Sequence, residues 1–216
     1  MLRGLGRPSG LALGALLRAH PDFAPLTTDA LHDWLPAALD DPQSRLSVLL
    51  RENGFVPAFN LLQMTYSGGL YRVPALPFSP YCDDDYDAVQ ELISRSFYEL
   101  RRTVGLSPHY MAPSQETRCL FARHAADLFT LRQSGRIIAF AAAFDGAVDY
   151  LCVDEGHRGQ GLGTALVMHC ANHILRQGAD EVRLCVIEQN TIARALYRKL
   201  GFRDCFTTYL FRKDGM

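Results

Sequence analysis

From Val153 to Gly163 the chain reads Val-Asp-Glu-Gly-His-Arg-Gly-Gln-Gly-Leu-Gly. An apolar run, Val148–Val153, leads into this stretch, and an amphipathic helical pattern leaves it. Glycine lets consecutive backbone N–H groups turn toward one point, and the start of a helix adds a partial positive charge. With Arg158 beside them, Gly159, Gln160, Gly161 and Gly163 can therefore form a cradle for an anion such as a pyrophosphate. No Gly-Lys-Ser/Thr follows, so the stretch is not a P-loop. A dinucleotide-binding turn would need a parallel first strand and a later acidic ribose residue, and the hairpin signals upstream argue against it.

Other clusters carry weaker signals. His169 and His173 stand at i and i+4, but Cys170-Ala171-Asn172 lies between them with no glutamate, so no metal site is expected. Asp83-Asp84-Asp85 precedes a helical pattern, where it can cap the helix and complement its dipole or form a cation-attracting rim. Cys82, Cys119, Cys152, Cys170, Cys185 and Cys205 include no C-x-x-C pair, and several lie in apolar runs. They read as buried free thiols of a cytoplasmic protein. The net charge of −1 excludes the bulk basicity of a nucleic-acid binder. No apolar run approaches the roughly 18 residues of a membrane span. Leu11–Leu17 resembles a signal sequence, but Arg18 follows it without a small-x-small cleavage site, so export is not expected.

The elements that must position the cradle follow from periodicity. Residues 1–20 and 41–53 read as helices, Phe55–Tyr66 as a strand, and Tyr71–Phe78, with Pro74 and Pro77, as an extended edge. Val89, Leu92, Ile93, Phe97 and Leu100 keep helical spacing after the aspartates, and a second helix covers Gln115–Ala125. Asp127–Arg132, Arg136–Phe144 and Val148–Val153 are separated by Ser134-Gly135 and Asp145-Gly146, which predicts an antiparallel meander. Helix 161–176, strand 181–187, helix 191–200 and strand 205–211 complete a β-α-β-α-β tail. The fold class is α/β with a mixed sheet.

Two segments then resemble the signatures of the GNAT superfamily of acyl-CoA-dependent N-acyltransferases. Arg158-x-x-Gly161-x-Gly163 is similar to its Q/R-x-x-G-x-G/A motif, and Asn190 through Phe202 is similar to N-x-x-A-x-x-L-Y-x-x-x-G-F. The resemblance covers roughly residues 71–216 and implies acetyl-CoA as co-substrate, with no metal. By resemblance, Gly159, Gln160, Gly161 and Gly163 would present amides to the pyrophosphate beside Arg158. Leu151 and Val153 would hold the pantetheine arm and thioester through their backbone, on a strand whose bulge splays it from the next. Asn190 would bond the cofactor arm or the strand-to-helix turn. Tyr197 would protonate the departing thiolate, or be a packed tyrosine facing the sheet. His157 is expected to be solvent-exposed.

The glutamate that relatives place on either central strand falls here on Ala147 or Cys185. Asp149, on the same strand face as Ala147, becomes the candidate base, with Glu188 behind it and a water relay equally open. Phe97, Tyr98, His109 and Tyr110 could line an acceptor pocket or belong to the core.

Residues 1–69 carry a possible echo of the same frame. Arg7-x-x-Gly10-x-Ala12 parallels the first motif, and Leu49 through Phe55 parallels Leu196 through Phe202. The expected organisation is a degenerate half-domain, or a helical extension, over 1–69 and a complete domain over 70–216. Leu50 stands where Tyr197 would, so the first copy should be silent. Its sheet edge would have to be covered by the complete domain or by a partner chain, as in a homodimer. The resulting reading is acetyl transfer to a small-molecule or peptide amine by direct attack. The alternative is a non-catalytic acyl-CoA-binding or sensor module.

Overall fold

A computed structural model describes residues 34–37, 48, 51–52, 54–106 and 108–213. The expected helix at 1–20 lies outside them, as do most of residues 41–50. The chain divides into two compact units, one of residues 1–62 with 206–216 and one of 63–205.

In the smaller unit, β1 (Trp34–Ala37) runs antiparallel to β8 (Arg203–Lys213), from Trp34↔Arg212 to Ala37↔Tyr209. The strand β2 (Phe55–Tyr66) follows a left-handed Gly54, φ 79°, and helical residues at Arg51 and Glu52. The same succession of helix, left-handed glycine and strand recurs at Gly201, φ 90°, ahead of β8.

The larger unit holds the meander. Its strands are β3 (Phe78–Pro80), β4 (Leu128–Gln133), β5 (Arg136–Phe144), β6 (Ala147–Val153) and β7 (Val182–Ile187). They stand in the order β7-β6-β5-β4-β3, with the end of β2 next to β7. Positive φ at Ser134 and Gly135, and again at Asp145 and Gly146, gives two tight turns whose twist suits antiparallel strands. The β6–β7 pair is parallel, so the sheet is mixed. Of the expected edge segment Tyr71–Phe78 only Phe78 pairs, in a short strand that continues to Pro80. Residues 67–77 make no ladder, and the prolines at 74 and 77 could not donate to one.

Among the described residues, four helices of this unit accompany the sheet. On α1 (Tyr86–Thr103) the buried residues Val89, Leu92 and Ile93 recur every three or four positions, so one stripe faces the core. That stripe packs with Phe121 of α2 (Gln115–Arg123) on Phe140, Ala142 and Cys152. Fully buried Ala139, Ala141, Ala142 and Ala143 keep β5 thin enough for helices on both faces, α1 on one and α3 (Leu162–Arg176) on the other. The last helix, α4 (Thr191–Lys199), lies beside α3, with Leu196 Cδ2 3.7 Å from where a Cβ on Gly163 would sit.

Several expectations are corrected. Asp85 stands at the N-cap of α1 but its side chain makes no capping hydrogen bond; the aspartates form a short 3-10 turn in which Asp83 pairs with Arg118 at 2.7 Å and Asp85 pairs with Arg132. Free carboxylates at a helix start gain more from a nearby guanidinium than from the screened dipole. Of the six free cysteines only Cys152 and Cys170 are buried; the other four are exposed.

Candidate active site

The site begins where β6 leaves regular geometry. Ala142 pairs with Asp149 and Phe140 with Cys152, so β6 holds an extra residue opposite Ala141. Tyr150 has φ 51°, unusual for a bulky side chain. This is a β-bulge, and Tyr150 is held in it by an edge-on contact with Phe121, ring centroids 5.3 Å apart. On its other side β6 pairs with β7 only at Ala147↔Arg183 and Val148↔Leu184. Beyond Val148 the two parallel strands part, which opens a slot in the middle of the sheet.

At the far end of that slot lies the glycine-rich loop. Gly159 (φ 77°) and Gly161 (φ 80°) are both left-handed, and Gly161 is the N-cap of α3. No side chain caps this helix. Its first intrahelical bond runs from Ala165 N to Gly161 O at 3.0 Å, so the amides ahead of it have no partner within the helix. A Cβ at either left-handed glycine would meet nothing within 4 Å. An anion therefore finds unoccupied space, directed amides and a positive helix end together, and the residues present fit a pyrophosphate. Arg158 borders the cradle, its Nε donating to the Val153 carbonyl at 3.2 Å. His157 is not simply a solvated side chain, because its Nδ1 lies 2.9 Å from Asp154 Oδ2, and Arg95 Nη2 donates to Oδ1 of the same carboxylate at 3.2 Å. Together His157 and Arg95 hold the Asp154 carboxyl below the usual range.

Three groups of opposite chemistry meet at the fork. Burial pushes Tyr197, on the inner face of α4, up to about 12, and the charges of Asp149, Cys170 and Cys185 add to the effect. It remains a phenol at any ordinary pH. Asp149 is reached by water yet ringed by protein, as a group in a cleft is. Desolvation raises its carboxyl above the usual value, and a hydrogen bond from Tyr150 N at 2.7 Å opposes the rise. Cys185 stands one residue beyond the last β6–β7 pair, as Asp149 does on β6. Desolvation and the charge of Asp149 push its thiol up to about 11, so it is no thiolate nucleophile.

Asn190 caps α4, its Oδ1 accepting from Ala193 N at 3.2 Å, which is the turn role of the two expected for it. Glu188 lies in the preceding turn, where its carbonyl accepts from Arg194 Nη1 at 2.9 Å. Of the candidate acceptor aromatics, Phe97 packs against the core. Tyr98 and His109 meet edge-on at 6.0 Å, and the exposed Tyr110 hydroxyl donates to Glu91. His169 and His173 do not converge on an ion: His169 sits between Phe78 and Phe129, and His173 Nε2 lies 2.7 Å from Asp127 Oδ1. Among the described residues no group of His, Cys, Asp and Glu could hold a metal, and no helix is long and apolar enough to cross a membrane.

Sequence reasoning missed the strap that follows β2. Tyr71 donates its N–H to Asn172 Oδ1 at 2.7 Å and accepts from Asn172 Nδ2 at 2.8 Å, while its hydroxyl donates to the Leu200 carbonyl at 2.6 Å. Tyr66 stacks on Tyr71 at 4.6 Å and lies against Gly201. The end of the Tyr197 helix is thus braced by residues far upstream. A lone asparagine at the middle of an apolar helix was the only signal for this.

A family model described as the Acetyltransferase (GNAT) family matches residues 86–202, more than half of the 216 residues. The chain belongs to the GNAT acetyltransferase family. Among curated relatives it is 32% identical over 99 residues to a mycothiol acetyltransferase of Thermobispora bispora, covering 41% of this chain and 34% of that one. It is 36% identical over 80 residues to the [ribosomal protein bS18]-alanine N-acetyltransferase of Escherichia coli, covering 35% and 54%. The chain thus aligns with between about a third and about half of these relatives' length. A GCN5-related N-acetyltransferase from Sphaerobacter thermophilus superposes with TM-score 0.60 at 22% identity, over 83% of this chain and 58% of that one. A tandem GNAT protein from the clavulanic acid biosynthesis pathway superposes with TM-score 0.55 at 16% identity, over 83% and 62%. These structural likenesses establish the GNAT fold.

Proposed function

We propose that this GNAT chain moves an acetyl group from acetyl-CoA to an amine by direct attack while both are bound. The observation that carries this reading is the fork itself: β6 and β7 part beside Asp149 and Tyr197, with an uncapped amide cradle at the end of the opening. When bound, acetyl-CoA supplies an activated acyl thioester. Gly159, Gln160, Gly161 and Gly163 hold its pyrophosphate through their amides with Arg158 alongside, and the backbone of Leu151 and Val153 lines the arm.

Asp149 takes a proton from the incoming ammonium, directly or through water. Its raised pKa makes it a better base near neutrality than an ordinary aspartate. Tyr197 donates its phenolic proton to the sulfur as negative charge develops there, and its high pKa keeps that proton present. Asn190 keeps α4, and with it Tyr197, in place.

The names of the relatives cover mycothiol and an alanine of ribosomal protein bS18, so they do not single out one acceptor. The test is release of CoA thiol from acetyl-CoA in the presence of a panel of amines, peptides and aminoglycosides. Acceptor-dependent release supports the reading. Tight acetyl-CoA binding with no release for any acceptor would turn it to the acyl-CoA sensor.

A further inference from the structure

The family match begins at residue 86, yet the fork receives a side chain from residue 63. Gln63 Nε2 donates to Cys185 Sγ at 3.0 Å. On β2 the neighbours Leu62 and Met64 are buried and Gln63 is half-exposed; on β7 Val182, Leu184 and Val186 are buried while Arg183 and Cys185 are exposed. Alternation therefore puts Gln63 and Cys185 on the same open sheet face. Asp149 pairs with Ala142, whose side chain faces α1, and this is the face opposite the buried side of β7. Gln63, Cys185 and Asp149 thus form a polar row across three neighbouring strands, beginning where the fork opens.

We infer that Gln63 is an acceptor-selecting residue, and that the preferred acceptor is an amine carrying a second hydrogen-bond donor a few bonds from its nitrogen. The inference rests on the acyl-transfer reading above. The amide of Gln63 spends one of its two N–H bonds on the thiol, which leaves the other N–H and the carbonyl Oε1, and Oε1 can accept from a ligand. Its head group lies over β7 and Asp149 lies on β6 just beyond their last pair, so the gap between them is wider than the paired-strand spacing of about 5 Å. An amine whose nitrogen meets Asp149 then brings a hydroxyl about four carbons away to Gln63. A donor matched to a polar wall gains discrimination because its absence leaves that wall unpaired.

The experiment compares 4-amino-1-butanol with pentylamine as acceptors for the full chain and its Gln63→Leu and Gln63→Glu variants. The wild-type ratio of kcat/KM should favour the amino alcohol. Gln63→Leu should lower that ratio at least tenfold, and Gln63→Glu, which retains an acceptor oxygen, should restore part of it. An unchanged ratio, or equal loss for both amines, overturns the inference. Iodoacetamide labelling of Cys185, read by peptide mass, checks the contact without any acceptor. The Gln63 hydrogen bond favours the thiolate, so Gln63→Leu should slow labelling a few-fold, and an unchanged rate overturns the geometry. If neither amine nor any member of the panel is acetylated while Cys185 labelling still responds to Gln63, the acyl-transfer reading is what has failed, and acceptor selection falls with it.

Discussion

Two helices of the larger unit start from the ends of neighbouring parallel strands, and they start in opposite ways. After β6 the chain enters α3 through a left-handed Gly161 with no side-chain cap. After β7 it enters α4 through Asn190, whose carboxamide closes the first turn onto Ala193 N. An open helix start invites a ligand to complete its hydrogen bonds, whereas a closed one completes them itself. On the proposed reading the open start serves binding. The closed start fixes the helix that carries Tyr197, whose hydroxyl, as the proposed general acid, must lie within hydrogen-bond reach of the sulfur. Neighbouring strand-to-helix connections thus differ in their caps, and the proposed reading gives them different tasks.

The sharpest way to break this comparison is Tyr197→Phe. Removing the hydroxyl should lower kcat roughly 10²-fold with little change in acetyl-CoA affinity, measured by steady-state kinetics and calorimetry. Equal activity would make Tyr197 a packing residue and deprive the closed helix of its task. Next in size, Gly161→Glu forces a charged side chain into a left-handed position beside an anion site. Acetyl-CoA affinity should fall at least about tenfold, or about 1.4 kcal/mol, by calorimetry. Unchanged affinity would mean that the open start of α3 is not the cradle.

Asn190→Ala should cost about 1 kcal/mol of stability, the usual worth of an N-cap, seen as a drop of a few degrees in Tm. A tenfold loss of acetyl-CoA affinity at unchanged Tm would instead place Asn190 on the cofactor and erase the contrast between the helices. The smallest effect on stability is expected at Asp149. Its folded pKa lies above the unfolded value, so the stability linked to its proton is complete below the ordinary aspartate pKa of about 4 and is lost as pH rises through the folded value. Asp149→Asn should therefore raise Tm modestly at neutral pH, with the gain shrinking toward pH 4, while kcat/KM falls. A pH-independent Tm difference would show that the carboxylate carries no desolvation cost.

Read from residues alone, the meander, the order of helices and strands after it, and both motif segments were legible. Each is set by local causes: Arg136–Phe144 is a strand between two turn pairs, and Ser134-Gly135 and Asp145-Gly146 adopt the positive φ that such turns require. The loop at 158–163 was legible for the same reason, since glycine conformation and helix ends are properties of consecutive residues. What the sequence could not determine depends on residues far apart in it. Asp83 and Asp85 looked like caps until the fold brought Arg118 and Arg132 to them. Cys185 looked like the vacancy left by a missing glutamate, and only the end of the β6–β7 pairing and the arrival of Gln63 make it part of a polar wall. Asn172 drew notice only as a residue between His169 and His173, and only the strap shows it replacing a strand partner for Tyr71. Local conformation follows from each residue's own backbone and its near neighbours. The partner of a carboxylate, an amide or a thiol follows from which segments the sheet order makes adjacent, and that is decided by burying the whole core at once.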